Sequence, residues 1–194
     1  MNEAEAPTDA ALARRAAGGD ERAFSELVRR HKGPLYRLLR RYTDNPDDAY
    51  EAAQEAFIAA WFAVRRFDPD RPFVSWLRTI AINKARDLGR RAAVRRLVFG
   101  LEGLDDARAQ GRADPAAYAD EVLAKRQDMK GLDRAIARLP TKLKEALLLT
   151  AFDGMSQQEA GEILRVSAKT VETRVYRARK ILAQTLGPDL RPKS

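Results

Sequence analysis

Cysteine is absent from the 194 residues, and histidine occurs once, as His31. Disulfides and thiolate zinc sites are therefore excluded. His31 falls at a core-facing helical position, so a satisfied or surface imidazole explains it better than catalysis. No Gly-rich phosphate loop, nucleophile elbow or metal-ligand cluster can be found. The expectation is a protein that is not an enzyme, holds no cofactor or metal and takes no small-molecule substrate. No apolar run approaches the roughly 18 to 20 residues of a membrane-spanning helix. The first residues, MNEAEAPTDA, are acidic and polar and lack a signal core. With no cysteine to oxidise, the chain suits a reducing compartment, and a soluble, cytoplasmic protein is expected. Convincing strand alternation and internal repeats are missing too.

Charge, by contrast, is abundant. Lys and Arg number 36 against 28 Asp and Glu, a formal net of +8, and charged residues make up 33% of the chain. Such a balance points to an acidic partner, nucleic acid first and a membrane surface second.

Apolar residues recur at helical spacing. Phe24, Leu27, Val28, His31, Leu35, Leu38, Leu39 and Tyr42 step by three and four, and Asp44-Asn45-Pro46 breaks the rhythm. A second helix is expected from Asp48, which can cap it with Glu51 three residues on. Its predicted buried stripe is Tyr50, Ala53, Phe57, Trp61 and Val64. The segment FDPDRPF, Phe67 to Phe73, holds two prolines and reads as a loop. A third helix follows from about Ser75, with Leu77, Ile80, Ala81, Ala85 and Leu88 on one face.

Beyond Arg96 the aliphatic periodicity fades. Between Glu102 and Glu121 stand six acids (Glu102, Asp105, Asp106, Asp114, Asp120, Glu121) and two bases (Arg108, Arg112), a net of −4 in a basic protein. This composition is that of a flexible linker. Helical pattern returns with Leu132, Ala135, Ile136 and Leu139. After Pro140 it continues through Leu143, Ala146, Leu147 and Ala151, with Gly154 as C-cap. Ser156-Gln157-Gln158-Glu159 has the capping-box pattern and opens a short helix to about Leu164. Arg165-Val166-Ser167 makes a turn. Ser167 then caps a final helix carrying Val171, Val175, Ala178 and Leu182, ended by Gly187-Pro188. The predicted fold is all-α: two small helical domains, 20–96 and 130–186, joined by an acidic flexible linker, 97–129, with an N-terminal extension, 1–19, and a tail, 187–194.

A short capped helix, a three-residue turn and a longer basic helix form the layout of a helix-turn-helix, whose second helix enters the DNA major groove. From Ser167 to Ala183 the bases are Lys169, Arg174, Arg177, Arg179 and Lys180, and Glu172 is the sole acid. Lys and Arg neutralise phosphates, and Arg also pairs with guanine. The first domain carries a basic track of its own: Arg78, Lys84, Arg86, Arg90, Arg91, Arg95 and Arg96, with Asp87 the one acid. Phe67, Phe73 and Trp76 lie beside it. Rings next to cations suit single-stranded DNA, where stacking contributes about 1 to 3 kcal/mol per base. The competing explanation is that these rings are core residues under a loop. Asp44, Asp47, Asp48, Glu51 and Glu55 form a stretch with no base. With Gln54 it suits protein docking better than DNA, unless it is simply a solvated face whose acids favour the helix N-terminus.

These residues resemble the extracytoplasmic-function, or group IV, sigma factors of bacterial RNA polymerase. DDAYEAAQEAFIAAW (Asp47 to Trp61) is similar to the family's polymerase-docking helix. RFDPDRPFVSWLRTIAINKARDLGRR (Arg66 to Arg91) looks like its melting loop and −10 recognition helix. LPTKLKEALLLTAFDGMSQQEAGEILRVSAKTVETRVYRARKIL (Leu139 to Leu182) looks like its −35 domain. The resemblance implies a factor that binds core polymerase, through the clamp coiled coil of the largest subunit and the flap, and directs initiation at promoter DNA. It assigns docking to Asp48, Glu51, Gln54, Glu55 and Phe57. It assigns the −10 element to Phe67, Asp70, Phe73, Trp76, Asn83, Lys84, Arg86, Arg90 and Arg91. It assigns the −35 duplex to Lys169, Thr170, Glu172, Thr173, Arg174, Tyr176 and Arg177. The linker would thread polymerase channels, its negative charge mimicking nucleic acid. An anti-sigma factor, often membrane-bound in the family, would hold the protein inactive, in some cases at the inner membrane.

The chain departs from the family pattern at several points. Glu51-Ala52-Ala53 stands where Asp-Leu-Val is frequent, and Glu159-Ala160-Gly161 where Glu-Ile-Ala is usual. Arg165 replaces a turn glycine, and Glu172 a frequent base. Gly161 permits close helix approach at a propensity cost of up to about 1 kcal/mol. Glu172 can accept from cytosine N4. Two other readings compete: a conventional DNA-binding regulator, which would require a sensory domain in front, and a helical enzyme, which would require converging perturbed acids.

Overall fold

A computed structural model describes residues 6–43, 45–99 and 131–186. Every regular element in them is helical, and no strand occurs among the described residues. The order is α1 (Asp9–Ala17), α2 (Glu21–Thr43), α3 (Pro46–Ala63), a 3₁₀ turn (Val64–Arg66), α4 (Phe73–Phe99), α5 (131–137), α6 (Thr141–Leu147) running into a π turn (Leu148–Phe152), α7 (Gln157–Leu164) and α8 (Ala168–Leu186). The all-α expectation holds. Helix α4 continues to Phe99, past the predicted start of the linker at 97. The acidic stretch 102–121 and the tail 187–194 lie outside the described residues.

Residues 9–17, assigned to an extension by the sequence, belong instead to the first module. The Thr8 hydroxyl accepts from the Ala11 N–H at 3.2 Å and so caps α1. Leu12, Ala13 and Ala16 are buried. Asp9 ties α1 to α2, with Arg30 at 3.0 Å and His31 Nε2 at 2.6 Å. His31 is thus a satisfied structural side chain. The apolar stripe of α1 is only two turns long, too short for periodicity to reveal.

The start of α3 also differs from expectation. Asn45, not Asp48, is the N-cap: its side chain accepts from the N–H groups of Asp47 and Asp48 at 2.8 and 3.3 Å. Pro46 takes the first position, where a missing N–H costs nothing. The buried face of α3 consists of alanines, Ala49, Ala52, Ala53, Ala56 and Ala60. Tyr50, predicted to be buried, is 59% exposed and shares the outer face with Gln54, Ile58 and Phe62. Small side chains let α3 lie close to α2 and α4, and no room remains for a tyrosine. Trp61 packs edge-on against Phe24, ring centroids 5.0 Å apart.

Helix α4 begins at Phe73, two residues before the expected Ser75, and buries Phe73, Leu77, Ala81, Ile82, Ala85 and Leu88. In the second module the π turn adds one residue to a helical cycle, which rotates the following side chains. Leu148 and Leu149 are buried and Ala151, placed on the stripe by a regular 3.6 period, is exposed. Gly154 then turns the chain at φ +69°.

The predicted capping box is present. The Ser156 hydroxyl accepts from the Glu159 N–H at 3.2 Å, and the Glu159 carboxylate accepts from the Ser156 N–H at 2.8 Å. The Ser156 hydroxyl also donates to that carboxylate at 2.8 Å, and this bond, with the one from the Ser156 N–H, holds the Glu159 pKa below its ordinary value. Arg165 ends α7 in the left-handed region at φ 55°. Gly161 lies beneath the turn, where a Cβ would stand 2.7 Å from the Val166 carbonyl oxygen.

Two substitutions in this turn should act with opposite sign. Gly161→Ala gains helix propensity of about 1 kcal/mol but drives a carbon into a backbone carbonyl, and overpacking costs about 1 to 3 kcal/mol. Net destabilisation is expected. Arg165→Gly relieves a left-handed residue and should stabilise by about 0.5 to 1 kcal/mol. Urea denaturation of the full chain measures both; a Gly161→Ala midpoint equal to or above wild type would contradict the packing argument.

Candidate nucleic-acid interface

Helix α8 is fixed on one side and open on the other. Val171, Val175 and Ala178 are buried against the rest of the second module. The Ser167 hydroxyl caps the helix by accepting from the Thr170 N–H at 3.2 Å. It also shares a 2.9 Å hydrogen bond with the Thr170 hydroxyl. Thr170 therefore serves the turn as well as facing outward. Lys169, Glu172, Thr173, Tyr176, Arg177 and Lys180 are exposed, and the spacing 169, 172, 173, 176, 177, 180 is that of one helical face. Arg174 sits half-buried at its margin. Lys169 and Glu172 pair at 2.8 Å, and the Thr173 hydroxyl donates to the Lys169 carbonyl at 2.9 Å. The result is a rigid helix presenting cations, one carboxylate, a hydroxyl and a tyrosine, with α7 braced across its N-terminal half. This is the geometry of a recognition helix.

In the first module the sequence offered three rings to unpaired bases or to the core beneath the loop, and two of them lie in the core of the free chain. Phe67 and Phe73 are 8% and 3% exposed. They pack with Trp76 in a mutual cluster, centroids 5.2 to 5.5 Å apart, with His31 against Phe73. The two phenylalanines are core residues that hold the loop, and their faces are covered by one another, Trp76 and His31. Trp76 is partly exposed. Asp70 is exposed, and its N–H donates to Asp68 Oδ1 at 3.1 Å in a turn at the loop tip.

The basic track of α4 is largely engaged. Lys84 and Arg91 approach Glu55 of α3 at 3.3 and 3.5 Å, and Arg90 pairs with Asp87. Exposed or half-exposed pairs of this kind contribute only about 0 to 1 kcal/mol, so a phosphate can displace the acid readily. Asn83 is exposed and accepts from Arg86 at 3.1 Å. Arg86 is held differently: its Nε and an NH2 group donate to both oxygens of Glu145 at 2.6 and 2.5 Å. Those hydrogen bonds raise the guanidinium pKa above its ordinary value.

Of the acidic group, Glu51 and Gln54 are exposed, Asp48 and Glu55 are half-buried, and Phe57 packs partly against the core. Glu55 turns toward α4 rather than outward. Sequence reasoning missed the apolar row Tyr50, Ile58 and Phe62, at 59, 59 and 79% exposure, which lies next to Glu51 and Gln54. It also missed Glu145 and Asp153. The available signal was a Lys-Glu pair set directly against the run ALLL, where a charge must find a partner.

The chain matches two protein families, Sigma-70 region 2 over residues 27–95 and Sigma-70, region 4 over residues 129–182. It is 41% identical to the RNA polymerase sigma factor CnrH of Cupriavidus metallidurans over 182 residues, covering 93% of this chain and 95% of that protein. It is 34% identical to the ECF RNA polymerase sigma factor SigW of Bacillus subtilis over 172 residues, covering 87% and 91%. Among solved structures, CnrH in complex with the cytosolic domain of CnrY has 35% identity and a TM-score of 0.67, covering 92% of this chain and 96% of that one. The fold is shared also with the sigma factor RpoE of Bartonella quintana, at 23% identity and a TM-score of 0.68, over 86% of this chain and 98% of that one.

The core placement of Phe73 has a measurable consequence. Phe73→Ala should lower stability by about 3 to 5 kcal/mol, as expected for a buried aromatic side chain. Equilibrium denaturation followed by circular dichroism checks it; a loss below about 1 kcal/mol would mean the ring is not core.

Proposed function

The chain belongs to the extracytoplasmic-function group of the sigma-70 family, RNA polymerase sigma factors that direct promoter-specific initiation, and we propose how its two modules divide that work. The second module, 130–186, reads the −35 duplex through α8. The first, 20–96 with α1 added, docks on core polymerase and captures the −10 strand. The observation that carries the reading is the open face of α8, with cations opposite a buried Val171-Val175-Ala178 stripe.

On that face Lys169, Thr170, Thr173 and Arg174 position the helix on the backbone, and Glu172, Tyr176 and Arg177 face base edges. Phosphate contacts set register and base contacts set sequence. Glu172 accepts from cytosine N4 once Lys169 swings to a phosphate, which makes this pair a source of promoter preference. In the first module Asn83, Lys84, Arg86, Arg90 and Arg91 track the −10 strand, with Trp76 as the ring closest to the bases and Asp70 at the loop tip. Phe67 and Phe73 shape the loop from within.

Docking on the clamp coiled coil of the largest polymerase subunit uses Asp48, Glu51 and Gln54 together with Ile58 and Phe62. Apolar side chains ringed by polar ones are the anatomy of a protein interface. Contact with the flap falls to the second module. Residues 97–129 connect the modules through polymerase. The protein acts in the cytoplasm, and no described helix is long and apolar enough to cross a membrane. CnrH forms a complex with the cytosolic domain of CnrY; a comparable anti-sigma partner, membrane-anchored or not, controls this chain.

Transcription in vitro with core enzyme and a cognate two-element promoter tests the proposal. A promoter-dependent transcript is expected; its absence on every cognate template would refute it. Arg177→Ala should weaken −35 binding by about 1 to 3 kcal/mol and relax specificity at one base pair. A uniform loss across sequences, with a salt slope smaller by about 1, would instead assign Arg177 to phosphate.

A further inference from the structure

Residues 156–168, which form α7 and the turn after it, carry two acids, Glu159 and Glu162, and one base, Arg165. In a helix-turn-helix the helix before the recognition helix crosses the DNA backbone, and contacts to phosphate fix the register of the whole unit. This half of the motif therefore starts with the wrong sign of charge for its task. Glu159 is absorbed in the capping box with Ser156. Glu162 is exposed and lines an open hollow between α7 and the start of α8, together with Gln158, Arg165 and Ala168. With glycine at 165 the hollow would present a carboxylate to the backbone and no cation.

The conformation at 165 is imposed by the turn. The Arg165 N–H donates to the Glu162 carbonyl at 3.4 Å, and the Val166 N–H donates to the Gly161 carbonyl at 2.9 Å. This pair of bonds closes α7 through a left-handed residue, φ 55° and ψ 49°, a conformation glycine adopts freely and a longer side chain adopts at a cost. Arg165 is the one non-glycine residue at positive φ among those described. Its side chain is exposed and makes no ion pair or hydrogen bond among the described residues. Nothing in the free chain offsets the strain. A strained residue with no internal partner points to a partner outside the chain.

We propose that Arg165 grips a backbone phosphate of the −35 duplex in front of this hollow, offsetting Glu162 and setting the register in which α8 enters the groove. This rests on the assignment of α8 to the −35 duplex. The partner is phosphate and not a base edge, because Arg165 precedes α8 and stands apart from the face formed by 169, 172, 173, 176, 177 and 180. A guanidinium suits the task, since its planar donors can take two phosphate oxygens at once. The contact is blind to sequence and sensitive to salt, as counterion release requires.

The test uses holoenzyme assembled from core polymerase and the full chain, and a duplex promoter fragment that the wild type transcribes. Fluorescence anisotropy over a salt series reads affinity for Arg165→Gly, Arg165→Asn and Arg165→Lys, with Arg177→Ala as the reference. Arg165→Gly is expected to bind about fivefold more weakly, with a salt slope smaller by about 1. The loss should be the same on fragments with substituted −35 bases. The urea midpoint of this variant should rise, so weaker binding cannot come from a loosened fold. Arg165→Asn, also at ease in the left-handed region, should repeat the loss without the flexibility of glycine. Arg165→Lys should keep the wild-type salt slope and most of the affinity. Affinity and slope equal to wild type in Arg165→Gly, or a loss confined to one base pair, overturns the contact. If Arg177→Ala still binds more weakly in that case, the −35 assignment of α8 stands without it; if Arg177→Ala also binds as wild type does, both fall.

Discussion

Close approach of helices through small side chains is the constraint on which both modules depend. The fully buried positions of α3 are all alanines, so α2 and α4 can lie close against it, with Phe57 and Trp61 packing at the margin. In the second module Gly161 plays the same part: only a missing Cβ lets the Val166 carbonyl come so near and so fixes the angle at which α8 leaves the turn. Interiors are packed as densely as organic crystals, and a single carbon in such a place displaces backbone. The consequence for function is indirect but large. Because the alanines take most of the inside of α3, Tyr50, Ile58 and Phe62 lie on its outer face, the face proposed for docking.

Charge is distributed by a second rule, that a cation must be hydrated, paired or offered to a partner. On α8 the cations lie on an open face, and Lys169 alone among its exposed cations is paired there, with exposed Glu172. On α4 they pair, loosely with Glu55 and Asp87 and firmly with Glu145 and Asp153. The contrast fits the two tasks proposed for these helices. A recognition helix for duplex DNA must be ready at first encounter, when long-range attraction steers association. A surface for separated strands has no ligand until the duplex opens, and cations left bare there would attract duplex DNA without discrimination.

The turn between α7 and α8 shows a compromise within one loop. Arg165 occupies a left-handed position that glycine would fill without strain, yet it adds a cation beside the start of α8. Capping on both sides of it, by Ser156 with Glu159 and by Ser167, satisfies the backbone donors of two helix starts and holds the strained residue in place.

Local patterns in the chain determined a good deal by themselves. The all-α class, the capping box at Ser156, the Ser167 cap and the exposed cationic face of α8 follow from spacing and side-chain chemistry over a few residues, which act in any context. Tertiary packing decided the rest. Tyr50 was placed inside and lies outside, since which face of α3 is buried depends on what it packs against. Ala151 lost its place on the stripe to a π turn that no 3.6-residue period anticipates. Phe67 and Phe73 look the same in sequence whether they stack on a base or on each other, and only the positions of Trp76 and His31 settle it. Glu145 and Arg86 are 59 residues apart; a pattern read along the chain cannot see that contact, because electrostatic partners are chosen by distance in space.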